Sequence, residues 1–251
     1  MSTMFGLGHL IETEDNTILN TRSRLKGVTE YYPRIIELLF KLPYVTGKID
    51  GAETEIGALK SFCFTHYTQA PYTFWTIYNL YEKGYYLEVL ILYRHLLEAF
   101  VQMRYFNKYP DKLLNHITGT KRTKFKTMFD EFAKESYKRF YGEFLSGATH
   151  GMVIKDVMRF QRNSATEGRT VMGCEYNEDH ATLVFNVLVP LLLGYLRQFE
   201  CFFPENIVST DTKIREEIEI CGAWLEKNIE GHKKVNPRSV NWYREIEGLF
   251  F

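Results

Sequence analysis

The stretch YLEVLILYRHLLEAFVQMRYF, residues 86–106, decides the architecture. Its apolar residues fall on nearly every side of a 3.6-residue spiral, the pattern of a helix surrounded by other helices rather than laid against one surface. The spacing therefore predicts a central, largely buried helix over about 86–106. A few polar side chains interrupt it. Arg94 and Glu98 are four residues apart and share one face, Gln102 lies one turn further along, and His95 and Glu88 flank the same wedge. A charged pair among apolar neighbours must be paired or hydrogen-bonded, because an isolated buried charge costs several kcal/mol. Two readings follow: an intrahelical ion pair, or an arginine and a carboxylate lining a cleft.

Working outward, helical spacing recurs almost everywhere and strand-like alternation is scarce, so the fold is expected to be all-α. Helices are predicted over 16–28 and over 32–42, with Pro33 in a first turn. Others are expected over 53–67, over 72–82 after a break at Pro71, and over 111–117. A long amphipathic helix is expected over 123–146, with Phe125, Met128, Phe129, Phe132, Phe140 and Phe144 as its apolar stripe. Residues 153–160 read as a further turn or two, and 162–175 as a loop. Asn177 is a suitable N-cap for an apolar helix running to Phe202, bent at Pro190. A final amphipathic helix is expected over 213–229, followed by a mobile tail. Three segments result: 1–47, a core bundle over 48–204, and 205–251 packed on it, together forming one domain.

Composition narrows the function classes. With 31 Lys plus Arg against 31 Asp plus Glu in 251 residues, there is no global field to hold a polyanion, so a nucleic-acid partner would need a local basic patch. The candidates are KRTKFK, residues 121–126, and Arg159, Arg162 and Arg169, with Phe125 and Phe160 among them to stack a base. The four cysteines are widely spaced and form no C-x-x-C pair, which suits free thiols in a reducing cytoplasm. The start, MSTMFGLGHLIETED, lacks the basic opening of a secretory signal. The most apolar run, 183–196, falls short of the roughly 20 residues that span a bilayer and reads as a core helix, so no membrane association is expected. No P-loop, dinucleotide fingerprint, nucleophile elbow, H-E-x-x-H or cysteine quartet appears, so neither a cofactor nor a metal is expected.

The second informative stretch is LSGATHG, residues 145–151. Were the preceding helix to continue through it, Ser146 and His150 would share a face, with Gly147 and Gly151 forming a row of small residues beside them. Glycine costs about 1 kcal/mol relative to alanine inside a helix, so the pair signals close backbone approach or a deliberate end.

The run Tyr93-Arg94-His95-Leu96-Leu97-Glu98, followed later by Tyr141, Ser146 and Thr149-His150-Gly151, resembles a family of bacterial all-helical proteins of unknown function. More distantly it resembles the HEPN superfamily of nucleotide-binding helical domains. The likeness spans about 53–151. It implies an HEPN-like bundle acting as a dimer in a defence or toxin system. In its enzymatic form the protein would cleave RNA without metal. Arg94, Glu98, Ser146 and His150 would be catalytic, His150 moving the proton at the ribose hydroxyl, Arg94 meeting phosphate charge and Glu98 orienting either. His95, Gln102, Tyr141, Lys124 and Arg159 would contact substrate. HEPN ribonucleases carry a histidine four to six residues after the arginine on one helix, whereas here Arg94 is followed by His95 and Glu98. The alternative is a non-catalytic module that binds a partner protein or a small ligand, the same residues forming a buried polar network that fixes helix register.

Overall fold

The computed structural model describes residues 7–46, 54–134, 136–147, 160–162, 168–170, 174–203, 212–235 and 246–250. The fold is all-α. Its helices are α1 (Leu7–Arg24), α2 (Lys26–Lys41, extended by the 3-10 turn Leu42–Val45), α3 (Glu55–Glu82), α4 (Tyr86–Lys108), α5 (Asp111–Ile117), α6 (Phe125–Ala133), α7 (Tyr137–Leu145), α8 (Glu178–Phe202) and α9 (Thr212–Val235). A 3-10 turn, Glu247–Leu249, follows. One small exception to the helical pattern is an antiparallel pair, β1 (Phe160–Arg162) with β2 (Gly168–Thr170), where a turn and a loop were expected.

Helix α4 is central, as its sequence requires: Val89, Leu90, Tyr93, Leu97, Phe100, Val101, Met103 and Phe106 are wholly buried. It packs against α3, α5, α6, α7 and α8. Helix α3 is one continuous helix rather than two, because Pro71 does not break it. Cys63, Tyr67, Ala70, Phe74, Ile77 and Tyr81 run straight through the proline as a single buried stripe. Burying that stripe outweighs the roughly 3 kcal/mol that an interior proline costs.

Three tyrosine hydroxyls tie the central helices together. Tyr67 of α3 donates to the Tyr195 carbonyl (2.8 Å), and Tyr81 of α3 donates to the Ala181 carbonyl (3.1 Å). Tyr195 of α8 in turn donates to the Leu96 carbonyl of α4 (3.1 Å). Along α3 the contacts rise from 67 to 81 while along α8 they fall from 195 to 181, so the two helices run antiparallel and in step over about four turns. Around Tyr67 the rings of Tyr195, Phe199, Phe202 and Phe203 stand edge-on at 5.4–6.0 Å. At Gly194 a Cβ would lie 2.8 Å from Phe100 and 3.0 Å from Phe250, so α8 approaches α4 at a point that only glycine permits.

Helix α8 is capped as expected, the Asn177 side chain accepting from His180 N–H at 3.0 Å. It is the one helix among the described residues long and apolar enough to cross a bilayer, but 78% of its apolar window is buried inside the fold. The expected helix over 123–146 is instead two: α6 ends at Ala133 and α7 is wound with the wider π-type hydrogen bonding. The expected helix over 16–28 is also divided, at Leu25, so that Pro33 lies inside α2 rather than in a first turn.

Helix α1 is held almost wholly by polar contacts. Its buried residues are Thr17 and Thr21, which donate to the carbonyls of Cys174 (2.8 Å) and Glu82 (3.2 Å). Arg22 grips the buried Glu82 carboxylate with two hydrogen bonds (2.7 and 3.0 Å), and Glu14 accepts from Lys83 (2.9 Å) and Tyr85 (2.7 Å). Leu7, Leu10, Ile11 and Leu19 of the same helix face outward. Gly84, beside this seam, takes φ +82°, and a Cβ there would press on the Glu175 carbonyl at 3.0 Å.

Two predictions follow from these contacts. Tyr67→Phe, Tyr81→Phe and Tyr195→Phe should each cost about 0.5–1.5 kcal/mol in urea unfolding, while Gly194→Ala should cost about 1–3 kcal/mol through overpacking. The hydrogen bond from Lys83, then that from Tyr85, hold the Glu14 carboxyl below its usual pKa. The anchoring of Glu14 is therefore complete above the ordinary carboxylate value of about 4.3 and is lost as pH falls through the depressed value. Hydrogen exchange should show α1 opening in acid before α3, α4 and α8; equal protection of all four would contradict a polar attachment.

Candidate functional site

The predicted pair on α4 forms. Arg94 Nε lies 2.9 Å from Glu98 Oε1, one helical turn away. A third member comes from α7. Tyr141 donates its hydroxyl to Glu98 Oε1 and accepts from Arg94 through Nε (3.1 Å) and Nη2 (2.8 Å), closing a triangle. The guanidinium also lies 4.8 Å from the centre of the Tyr141 ring.

Aromatic packing fixes that ring. Phe125 and Phe129 of α6 stand 4.7 and 6.1 Å from it, and Tyr137 stacks on it at 5.2 Å with planes 22° apart. The short α6 and the π-wound α7 thus form a bracket that pushes one phenol against α4. Only 21% of the Arg94 side chain and 27% of Glu98 remain exposed. Burial opposes the guanidinium's charge, but hydrogen bonds to Glu98 and Tyr141 outweigh it and raise the Arg94 pKa. For Tyr141 burial comes first and the Glu98 carboxylate adds to it; both push the phenol well above its usual value. It stays protonated and remains the donor to Glu98.

The other residues singled out by sequence fall in different places. Ser146, at the end of α7, donates Oγ to the Tyr141 carbonyl at 3.0 Å, so the start of the SGATHG segment is tied to the triangle through the backbone of Tyr141. His150 and Arg159 lie outside the described residues. His95 is exposed on α4, and half-buried Gln102 makes no hydrogen bond to the triangle among the described residues. Lys124 is exposed at the N-cap of α6, where its side chain is no cap. Of the neighbouring basic residues, Lys126 is already paired with Asp130. No three His, Cys, Asp or Glu residues converge on a metal-sized position among the described residues. Cys63, Cys174 and Cys221 are buried free thiols and Cys201 an exposed one.

Sequence reasoning missed a cavity of about 370 Å³ where the α1–α2 joint meets α8 and α9. Trp224 and Phe185 form its aromatic wall and Lys26 and Gly27 its edge. The one local signal was a glycine beside a basic residue at a helix break.

Tyr141→Phe keeps the ring and its packing but removes the hydroxyl that both partners use. It should destabilise the protein by about 1–3 kcal/mol, since Arg94 and Glu98 are left with unmet hydrogen-bonding groups in a mostly buried position. Denaturant unfolding measures it, and an unchanged midpoint would show that the triangle contributes nothing. No family model, curated protein or solved structure matches this chain.

Proposed function

We propose that the protein is a non-catalytic helical ligand-binding module, in which Arg94, Glu98 and Tyr141 lock α7 onto α4 and binding takes place in the cavity at the α1–α2 joint. The observation that carries this reading is the closed triangle. The carboxylate and the phenol are already seated on the guanidinium. A substrate phosphate would have to displace one of them from a site that is about three-quarters buried. Such a network suits fixing helix register better than transition-state binding. The cavity, by contrast, falls in the size range of small-ligand sites, about 300–1,000 Å³.

A second reading, a metal-independent HEPN-like ribonuclease, is favoured by one contact. The Ser146–Tyr141 hydrogen bond starts the segment leading to His150 beside the triangle. In that case Arg94 would meet phosphate charge and His150 would move the proton.

Labelled RNA incubated with the protein, with and without chelator, separates the two. The binding-module reading predicts no cleavage under either condition, and it predicts that Arg94→Ala lowers stability by more than about 1 kcal/mol. Chelator-indifferent cleavage that disappears in His150→Ala, with Arg94→Ala inactive yet as stable as the parent, would overturn it.

A further inference from the structure

The cavity at the α1–α2 joint has a chemistry that its position makes readable. One wall is the indole of Trp224, held from outside by Tyr31, whose ring stacks on it at 4.7 Å with planes 7° apart. Phe185 meets the same indole edge-on at 6.1 Å. One turn before Tyr31 on α2, Gly27 has no side chain: a Cβ there would lie 3.6 Å from Trp224 Cζ2 and 3.8 Å from Nε1, in ordinary contact. The gap between residue 27 and this edge of the indole is thus about one methyl group wide, and a longer side chain there would crowd the cavity. A rigid, pre-positioned aromatic wall favours a flat ring, which gains stacking without ordering the protein.

The charged residues that line it are basic. Arg24 and Lys26 both line the cavity, and none of its lining residues is an aspartate or glutamate. Arg24 is paired with Glu178 at 3.1 Å, a solvent-exposed pair. Lys26 has no carboxylate within ion-pair distance among the described residues. Helix α2 begins at Lys26, and its N-cap, Leu25, supplies no side-chain acceptor. Because α1 ends at Arg24, its negative end meets the positive start of α2 at this joint, and the Lys26 ammonium is the positive group left at the cavity edge. On the far side Asn228 donates Nδ2 to the Trp224 carbonyl at 2.7 Å, which leaves its side-chain carbonyl as an acceptor for a ligand donor.

We propose that this cavity binds a small planar aromatic anion, its ring against Trp224 and its negative group at Lys26. The proposal rests on the binding-module reading and adds the ligand class to it. Size sets the limit. At about 370 Å³ the cavity lies near the lower end of the ligand-site range, enough for one ring system with a charged substituent and too little for a dinucleotide.

Salicylate, a planar aromatic carboxylate, is the probe, with benzyl alcohol as its uncharged counterpart and acetate as its ringless one. Binding is followed by calorimetry and by the rise in Tm, on the full chain and on two variants. Gly27→Leu fills the space beside the indole, and Lys26→Ala removes an exposed cation that the fold does not use. The expected result is that salicylate binds at least about tenfold more tightly than either control. Gly27→Leu, folded by circular dichroism, should abolish that binding, and Lys26→Ala should weaken it several-fold and reduce its salt dependence. Equal binding of benzyl alcohol and salicylate, blocked by Gly27→Leu but untouched by Lys26→Ala, would overturn the anion class while leaving a ligand-binding module in place. Failure of all three probes to bind at millimolar concentration would overturn the site itself. The ribonuclease reading is decided separately, by the RNA assay.

Discussion

The structure depends on the register between α3 and α8. Two tyrosines of α3, fourteen residues apart, reach two carbonyls of α8 that are also fourteen residues apart, and a tyrosine of α8 reaches on to α4. A helix carbonyl has two lone pairs and spends one on its own helix, so each can accept a second bond without breaking the first. The hydroxyls would otherwise be buried without partners at a cost of a few kcal/mol each. A slip of either helix by one residue would orphan them together. Apolar packing alone tolerates sliding far better than a set of bonds that must all be met at once.

What that register positions is a layered division of labour. Helix α4, seated behind α3 and α8, presents Arg94 and Glu98 on the side covered by α6 and α7, where the triangle with Tyr141 forms. Helix α8 carries Phe185 toward α9 and the α1–α2 joint, where Trp224 and Gly27 line the cavity. Arg94, Glu98 and Tyr141 thus satisfy one another's hydrogen-bonding groups. Helix α1, joined by threonines and ion pairs, borders the cavity.

The central helix was legible because a spiral apolar on every side has few other places to go, and the Asn177 cap because its side-chain oxygen has an obvious use. Arg94 with Glu98 was legible from their four-residue spacing. Tyr141 entered only through a family resemblance, since nothing local links it to a carboxylate 43 residues earlier. Pro71 misled because a local rule lost to a buried stripe running through it. The division of α6 from α7 was hidden for the opposite reason: no glycine or proline marks residues 134–136. The cavity was beyond reach, because its walls come from four places in the chain, over 23–28, at 81, over 182–185 and over 224–228.

The register is tested most directly by distances between nitroxide labels on exposed positions of α3 and α8. Labels at Thr65 and Glu200 sit near matching ends of the antiparallel pair, and labels at Thr76 and Glu200 do not. At 1.5 Å of rise per residue, the second axial separation should exceed the first by roughly 10 Å or more. That ordering supports the antiparallel, in-step pairing of α3 and α8 that the tyrosines pin, and the reverse ordering, or two equal distances, would contradict it.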